Sequence, residues 1–450
     1  MTRWVVRRGE AVHGVLGFSL VSVWTLIGVD TAATFFLAMV IWVNRRHWAL
    51  LLAGSASGAA AGLLLTWWFG DQQGILGIPP TPVDRAWAVA AFVGLGLSVV
   101  AFTRRNWIIR VGAVVAAISF LVSGGLGINR DGGLFPKISD VVGVSSIRPL
   151  NLPLLAGSGP AHSFDASLYT SWVAPAGMPS AGKYGTVAIP GATSGFRARP
   201  AIVYLPPAAL TGSPPALPVL IVMSGQGPGA APYNVVDAGH FVSTLDRIAQ
   251  AHHGLAPIVV IPDQLRSPTN NPMCVNGALG NSDTYLTVDV PRWVRSHLLV
   301  QTGAQAWAVG GFSEGGTCAL QLATRHPNLF GSFIDVSGQR GPELGSIPST
   351  IQRGFGGSVA KYLAAQPLNI MKQHGHYANS SAFIATGAND VRYRRVVPAI
   401  SAPLKAAGVH VTTYMIPAVG HDWAAAARGL AHGTSWLMPR IGLAQPVGER

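Results

Sequence analysis

Charge is what this sequence has least of. Only 11% of its 450 residues are Asp, Glu, Lys or Arg, against about 25% in ordinary soluble proteins. So large a deficit excludes an ordinary soluble enzyme and points to a membrane portion. Acidic residues are the scarcer kind, 18 against 31 basic ones, for a formal net charge of +13. The cations form no dense cluster beside stackable aromatics, so no nucleic-acid partner is expected. An anionic membrane surface suits them better, since each cation close to one gains about 1 kcal/mol. Cysteine is nearly missing: Cys274 and Cys318 stand alone, too few for a disulfide scaffold or a thiolate metal site. Nothing resembles a cleaved signal peptide.

The apolar residues are concentrated in residues 1–128, where four membrane spans are expected at about 19–43, 48–69, 86–102 and 107–128. Each approaches the ~20 residues that cross a hydrocarbon core. Trp42, Trp48, Trp67, Trp68 and Trp107 fall near the span ends, where amphipathic rings prefer the interface. Gly54, Gly58 and Gly62 recur every four residues, which lets a neighbouring helix approach closely. Asp30 is costly inside a bilayer and marks a break or a helix–helix contact rather than a proton relay.

Loop charges set the orientation. Arg45, Arg46, Arg104, Arg105 and Arg110 lie around the first and third loops, whereas the second carries Asp71, Asp84 and Arg85. Cytoplasmic loops hold the excess of cations, so the C-terminal part is expected outside the cytoplasmic membrane. Arg3, Arg7 and Arg8 oppose this unless they form an interfacial segment, or unless the first apolar region is a hairpin adding a fifth crossing. Both models export the C-terminal domain.

A linker is expected at 129–160 and a catalytic domain at 161–450. The strand candidates there are "GKYGTVAIPG", "RPAIVYLPP", "LPVLIVMSG", "APIVVIPD", "AQAWAVGGFS", "FGSFIDVSG", "SAFIATGAND" and "HVTTYMIPAVG". Short apolar runs alternating with helical patterns predict an α/β fold whose mainly parallel sheet is covered on both faces.

Within it, "GGFSEGG" separates the strand "QAWAV" from the amphipathic helix "TCALQLATRH". Strand, G-x-S-x-G and helix make a nucleophile elbow, which presents Ser313 on a turn too tight for side chains at Gly311 and Gly315. A serine hydroxyl needs a base held by an acid, and in this fold they follow in the order Ser, acid, His. "FIATGAND" offers Asp390 and "MIPAVGHDW" offers His421. Asp422 and Asp335 are the rival acids; the first adjoins His421 and the second reads as structural. The oxyanion hole is expected from the backbone N–H groups of Glu314 and of Gln226 in "SGQGPG". That loop matches no nucleotide fingerprint, and no cofactor is expected.

Four segments together resemble the esterase D and mycolyltransferase-like "putative esterase" branch of the α/β-hydrolases. They are "VLIVMSGQG", "DTYLTVDVPRWV", "GGFSEGGTCALQLATRHPNLF" with "DVSG", and "TGAND" followed by "GHDW". The upstream spans resemble the multi-helix anchors of actinobacterial members. The resemblance implies an acyl-serine mechanism using Ser313, Asp390 and His421, with Gln226 and Glu314 at the oxyanion. Two departures stand out. Relatives commonly carry Met where Glu314 follows the serine, and "SGQGPGAAPYN" replaces the arginine-containing loop with which mycolyltransferases hold trehalose.

The remaining polar residues carry smaller expectations. Cys274 and Cys318 form a candidate disulfide between a rim loop and the nucleophile helix, as an exported domain permits. His374 and His376 read as a solvated loop rather than a metal site, and no metal is expected. Glu314 reads as a solvent-facing carboxylate, the alternative being contact with a cationic substrate group. Residues 339–380 read as an insertion lining the acyl pocket. The expected protein is a multi-pass, membrane-anchored serine esterase whose partners are the bilayer and a lipid-linked ester. An acyl glycolipid and an aminoacyl-phosphatidylglycerol are the candidate substrates. The alternatives are an acyltransferase using a sugar or lipid hydroxyl and a non-catalytic membrane scaffold.

Overall fold

The computed structural model describes residues 15–72, 80–143, 145–152, 162–227 and 230–446. Arg3, Arg7, Arg8 and the linker residues 153–160 lie outside them. The chain divides into two compact units, Met1–Ser146 and Ile147–Arg450.

The first unit is helical: α1 (Val23–Asn44), α2 (Trp48–Leu65), α3 (Pro82–Phe102) and α4 (Trp107–Gly132). Three helical stretches are long and apolar enough to cross a membrane, Val23–Asp71, Pro82–Phe102 and Trp107–Gly132. The expected count of four is thereby corrected. Helical geometry carries on through the 3-10 turn Arg45–His47, so the first two expected spans, but for residues 19–22, fall within one stretch of 49 residues.

Packing partners nevertheless change at that turn. α1 lies on α4, with Asp30 beside Ser123 and Asn44 reaching Arg104 just before α4 begins. α2 follows α3 in the opposite sense, Gly54 against Gly96, Gly58 against Phe92 and Gly62 against Val89. A Cβ on Gly58 would lie 2.2 Å from the Phe92 carbonyl oxygen. The glycine row is therefore what lets these two backbones touch. Asp30 accepts the Ser123 hydroxyl proton at 2.7 Å and is a helix–helix contact.

The second unit is built on eight strands. They are β1 (Lys183–Val187), β2 (Ala201–Leu205), β3 (Val219–Met223), β4 (Ile258–Ile261), β5 (Trp307–Phe312), β6 (Ser332–Val336), β7 (Ser381–Gly387) and β8 (His410–Ile416). All eight lie within the strand candidates read from the sequence. Their spatial order is β1-β2-β4-β3-β5-β6-β7-β8. β2 runs antiparallel to both neighbours, and every other pairing is parallel. This is the α/β-hydrolase arrangement.

Strands β2 to β6 are buried at every position, because helices cover both faces and no polar alternation is needed. Parallel strands also bring their C-terminal ends to one edge of the sheet. The segments after β5, β7 and β8 therefore emerge side by side, and these carry Ser313, Asp390 and His421. The insertion after β6 folds as three short helices, Ile347–Phe355, Val359–Ala364 and Pro367–His374. Its Phe355 and Ala365 pack with Met273 and Val275 of a second loop.

Candidate active site

The local fold at Ser313 follows from sterics. β5 ends at Phe312, and helix α5 (Glu314–Arg325) begins without a spacer. Ser313 takes up the whole reversal at φ 56°, ψ −113°, a region that costs a non-glycine residue about 1–3 kcal/mol. The turn is held by Ser313 N–H donating to Val336 O at 2.8 Å. No side chain fits on either flank. A Cβ at Gly311 would meet Gly315 C at 2.4 Å, and one at Gly315 would meet Met223 O at 2.1 Å.

The three expected catalytic side chains meet. His421 Nε2 lies 2.9 Å from Ser313 Oγ, and His421 Nδ1 lies 2.8 Å from Asp390 Oδ2. Asp390 Oδ1 is fixed in turn by the Tyr393 N–H at 3.0 Å. Two rings that the sequence did not single out set the imidazole plane. Tyr393 stacks on His421 at 4.1 Å, and Phe312 lies at 4.9 Å. Their aromatic types are visible in the sequence, but only the adjacency to Asp390 and Ser313 hints at the role. Burial pushes the Tyr393 hydroxyl up to about 12, so it stays neutral as a packing face.

The rival acids are placed elsewhere. Asp422 caps the final helix α6 (Trp423–Leu437), accepting Ala425 N–H at 2.7 Å and Gly420 N–H at 3.0 Å. Asp335 is fully buried on β6, where it accepts Gly338 N–H at 2.8 Å. Burial, partly offset by that bond, pushes its carboxyl up to about 7.

Glu314 differs from expectation. It is fully buried rather than solvent-facing, because the loop carrying Asn271 and Cys274 folds over the start of α5. Burial pushes its carboxyl up to about 8, with Asn271 opposing the rise and Glu343 adding to it. Its Oε1 lies 3.7 Å from Cys318 Sγ, a disulfide sulfur with no proton to give.

Cys274 and Cys318 are bonded, their Cα atoms 5.4 Å apart. Glu314 crowds the same spot, but disulfide sulfurs are not the thiolates a metal needs. His374 lies against Tyr377 at 4.4 Å, and His376 sits over Gly408.

The first N–H groups of a helix have no partner within it, so Glu314 N–H at the start of α5 is available beside Ser313. The loop after β3 runs past the nucleophile. A Cβ on Gly225 would be 3.5 Å from Ser313 Cβ, and Gln226 follows directly. A polarised hydroxyl, a held imidazole and nearby backbone donors together can form and break an acyl-serine.

The family model described as "Putative esterase" matches residues 196–409, most of the catalytic unit. An uncharacterised protein of Corynebacterium glutamicum is 36% identical over 257 residues, covering 56% of this chain. The chain spans 59% of that relative's length. Among solved structures, an S-formylglutathione hydrolase from Agrobacterium tumefaciens is similar, at 17% identity and a TM-score of 0.49. It aligns over 59% of this chain and 97% of its own. MPT51 of Mycobacterium tuberculosis aligns at 18% identity and a TM-score of 0.41, over 58% and 99% respectively.

Proposed function

We propose that this protein, whose catalytic unit matches the "Putative esterase" family model, is a membrane-anchored serine esterase acting outside the cytoplasmic membrane on an acylated cell-envelope lipid. One observation carries the chemistry: the hydrogen-bonded line from Asp390 through His421 to Ser313, with spacings of 2.8 and 2.9 Å. Ser313 Oγ attacks the ester carbonyl as His421 Nε2 takes its proton. Asp390 keeps the Nδ1 proton in place and balances the imidazolium charge. The Gln226 and Glu314 N–H groups receive the oxyanion, each donor worth about 2.7–4 kcal/mol. His421 then protonates the leaving alcohol and activates the second acceptor. Water as acceptor gives a free acid; a sugar or lipid hydroxyl gives a new ester, and the machinery is the same for both.

Membrane anchoring is supported by the three long apolar stretches. Sidedness is supported by the cations, since the Arg45–Arg46 turn and the Arg104–Arg105 turn lie at one end of the bundle, joined by the Asn44–Arg104 bond of 2.7 Å. α4 runs from that end to the opposite end of the bundle, after which the chain continues into the second unit in sequence, and cation-rich ends stay in the cytoplasm. The Cys274–Cys318 bond suits an oxidising compartment. Burial of Glu314 removes that carboxyl as a partner for a substrate ammonium. Of the two candidate substrates, this favours an acyl glycolipid over an aminoacyl-phosphatidylglycerol.

Fluorophosphonate labelling of membranes containing the wild type and Ser313→Ala tests the chemistry. Labelling confined to the wild type is expected, and labelling indifferent to Ser313 would overturn it. Mass spectrometry of envelope lipids from Ser313→Ala cells should reveal an accumulated ester, which names the substrate.

A further inference from the structure

The rim loop that covers Glu314 is fastened to the nucleophile helix. Cys274 is bonded to Cys318 on α5, and Gln321 Nε2, also on α5, donates to Met273 O at 2.7 Å. Met273 and Cys274 both hold left-handed backbone, at φ 58° and 50°, which persists only where surrounding contacts over-determine it. Asn271 opens this loop. Its Oδ1 accepts the Met273 N–H at 2.7 Å, which fixes the amide plane and turns Nδ2 away from the loop. There Nδ2 donates to Gln226 Oε1. Asn271 is only 6% exposed, and the bond is partly buried.

Gln226 has little stiffness of its own. Gly225 precedes it, and Gly227 follows at φ 114°, so the local chain alone does not fix the direction of its peptide N–H. Glu314 is one helical turn from Cys318 on α5, the helix to which the loop is fastened. We infer that Asn271 is a positioning residue for the oxyanion hole: held on the disulfide-fastened loop, it grips the Gln226 side chain. The Gln226 and Glu314 N–H groups then move as one body. Such donors act only when preorganised toward the same point; a peptide free to rotate at a glycine-flanked position loses that alignment. This inference rests on the serine-esterase reading and adds to it the part that keeps the hole assembled.

The test uses the full chain in detergent, with p-nitrophenyl butyrate and a fluorophosphonate as probes. Asn271→Ala and Gln226→Ala each remove the same bond, and the second keeps the backbone N–H and leaves the fastened loop untouched. Each is expected to lower kcat about 10- to 100-fold, the scale of an ångström of misplacement, with KM within about twofold. Fluorophosphonate labelling should slow in parallel yet still saturate, which a folding defect would prevent. The double variant should be no slower than the slower of the two single ones, because partners in one interaction do not add. Unchanged kcat in Gln226→Ala, or losses that multiply in the double variant, would overturn the inference. A wild type that labels away from Ser313 would instead remove the esterase reading beneath it.

Discussion

Asp422 adjoins His421 in the chain, yet both of its carboxylate oxygens turn away from the imidazole to accept the Ala425 and Gly420 N–H groups. The acid that holds the ring is Asp390, 31 residues upstream. Asp390→Asn is accordingly expected to lower kcat by on the order of 10⁴, by allowing the wrong imidazole tautomer, with little change in melting temperature. Asp422→Ala removes a helix cap and should cost about 1 kcal/mol of stability, with kcat falling less than about tenfold. Steady-state kinetics and thermal unfolding of both variants check the division.

Gly315→Ala tests the elbow. Its new methyl would sit 2.1 Å from the Met223 carbonyl oxygen, a backbone atom that cannot swing aside. Overpacking of this kind costs about 1–3 kcal/mol or more, and any relief displaces Ser313 from His421. A lower unfolding midpoint together with lost fluorophosphonate labelling is expected. An alanine variant that labels at the wild-type rate would show that the turn has room to spare.

Two buried carboxyls tie stability to pH. Burial raises Glu314 from 4.5 to about 8 and Asp335 from 3.8 to about 7. Between those limits the folded chain keeps protons that the unfolded chain releases, so stability falls as pH rises. The contribution is fully present below the unfolded values and lost by about pH 8. Glu314→Gln, neutral at every pH, should flatten this decline, gaining on the wild type as the pH moves from 5 to 8. Unfolding midpoints of the two proteins across that range provide the measurement.

The Cys274–Cys318 bond closes a loop between residues 44 apart, for which chain-entropy arguments give about 4 kcal/mol. The Cys274→Ser/Cys318→Ser pair should unfold at correspondingly lower denaturant concentration. It should also lose turnover before it loses its fold, because the rim loop is released first. Denaturation curves and kcat on the same preparation separate the two effects.

The strands, the elbow and the three side chains that meet at the candidate site were legible because each is written locally. A fully buried strand shows as a short apolar run, the elbow as glycines flanking one serine, and the partners as polar residues directly after later strands. Glu314 was not legible. The first turn of a helix ordinarily favours an exposed acid, and the loop that buries it comes from about 40 residues away in the chain. The Asn271–Gln226 bond escaped for the same reason: two ordinary amides meet only through the tertiary fold. The span count was blurred at Arg45–His47, where hydrogen bonding stays helical while the neighbours change.

The Asp30–Ser123 bond joins positions 93 residues apart, and this bears on how such a bundle is assembled. A carboxyl group within an apolar helix resists entering lipid unaided, and its hydroxyl partner is synthesised only with the second half of α4. In a bilayer, α1 therefore finds its final resting place late, after the helices that follow it. Truncated chains that stop before α4 would leave that first segment inclined to slip back toward water.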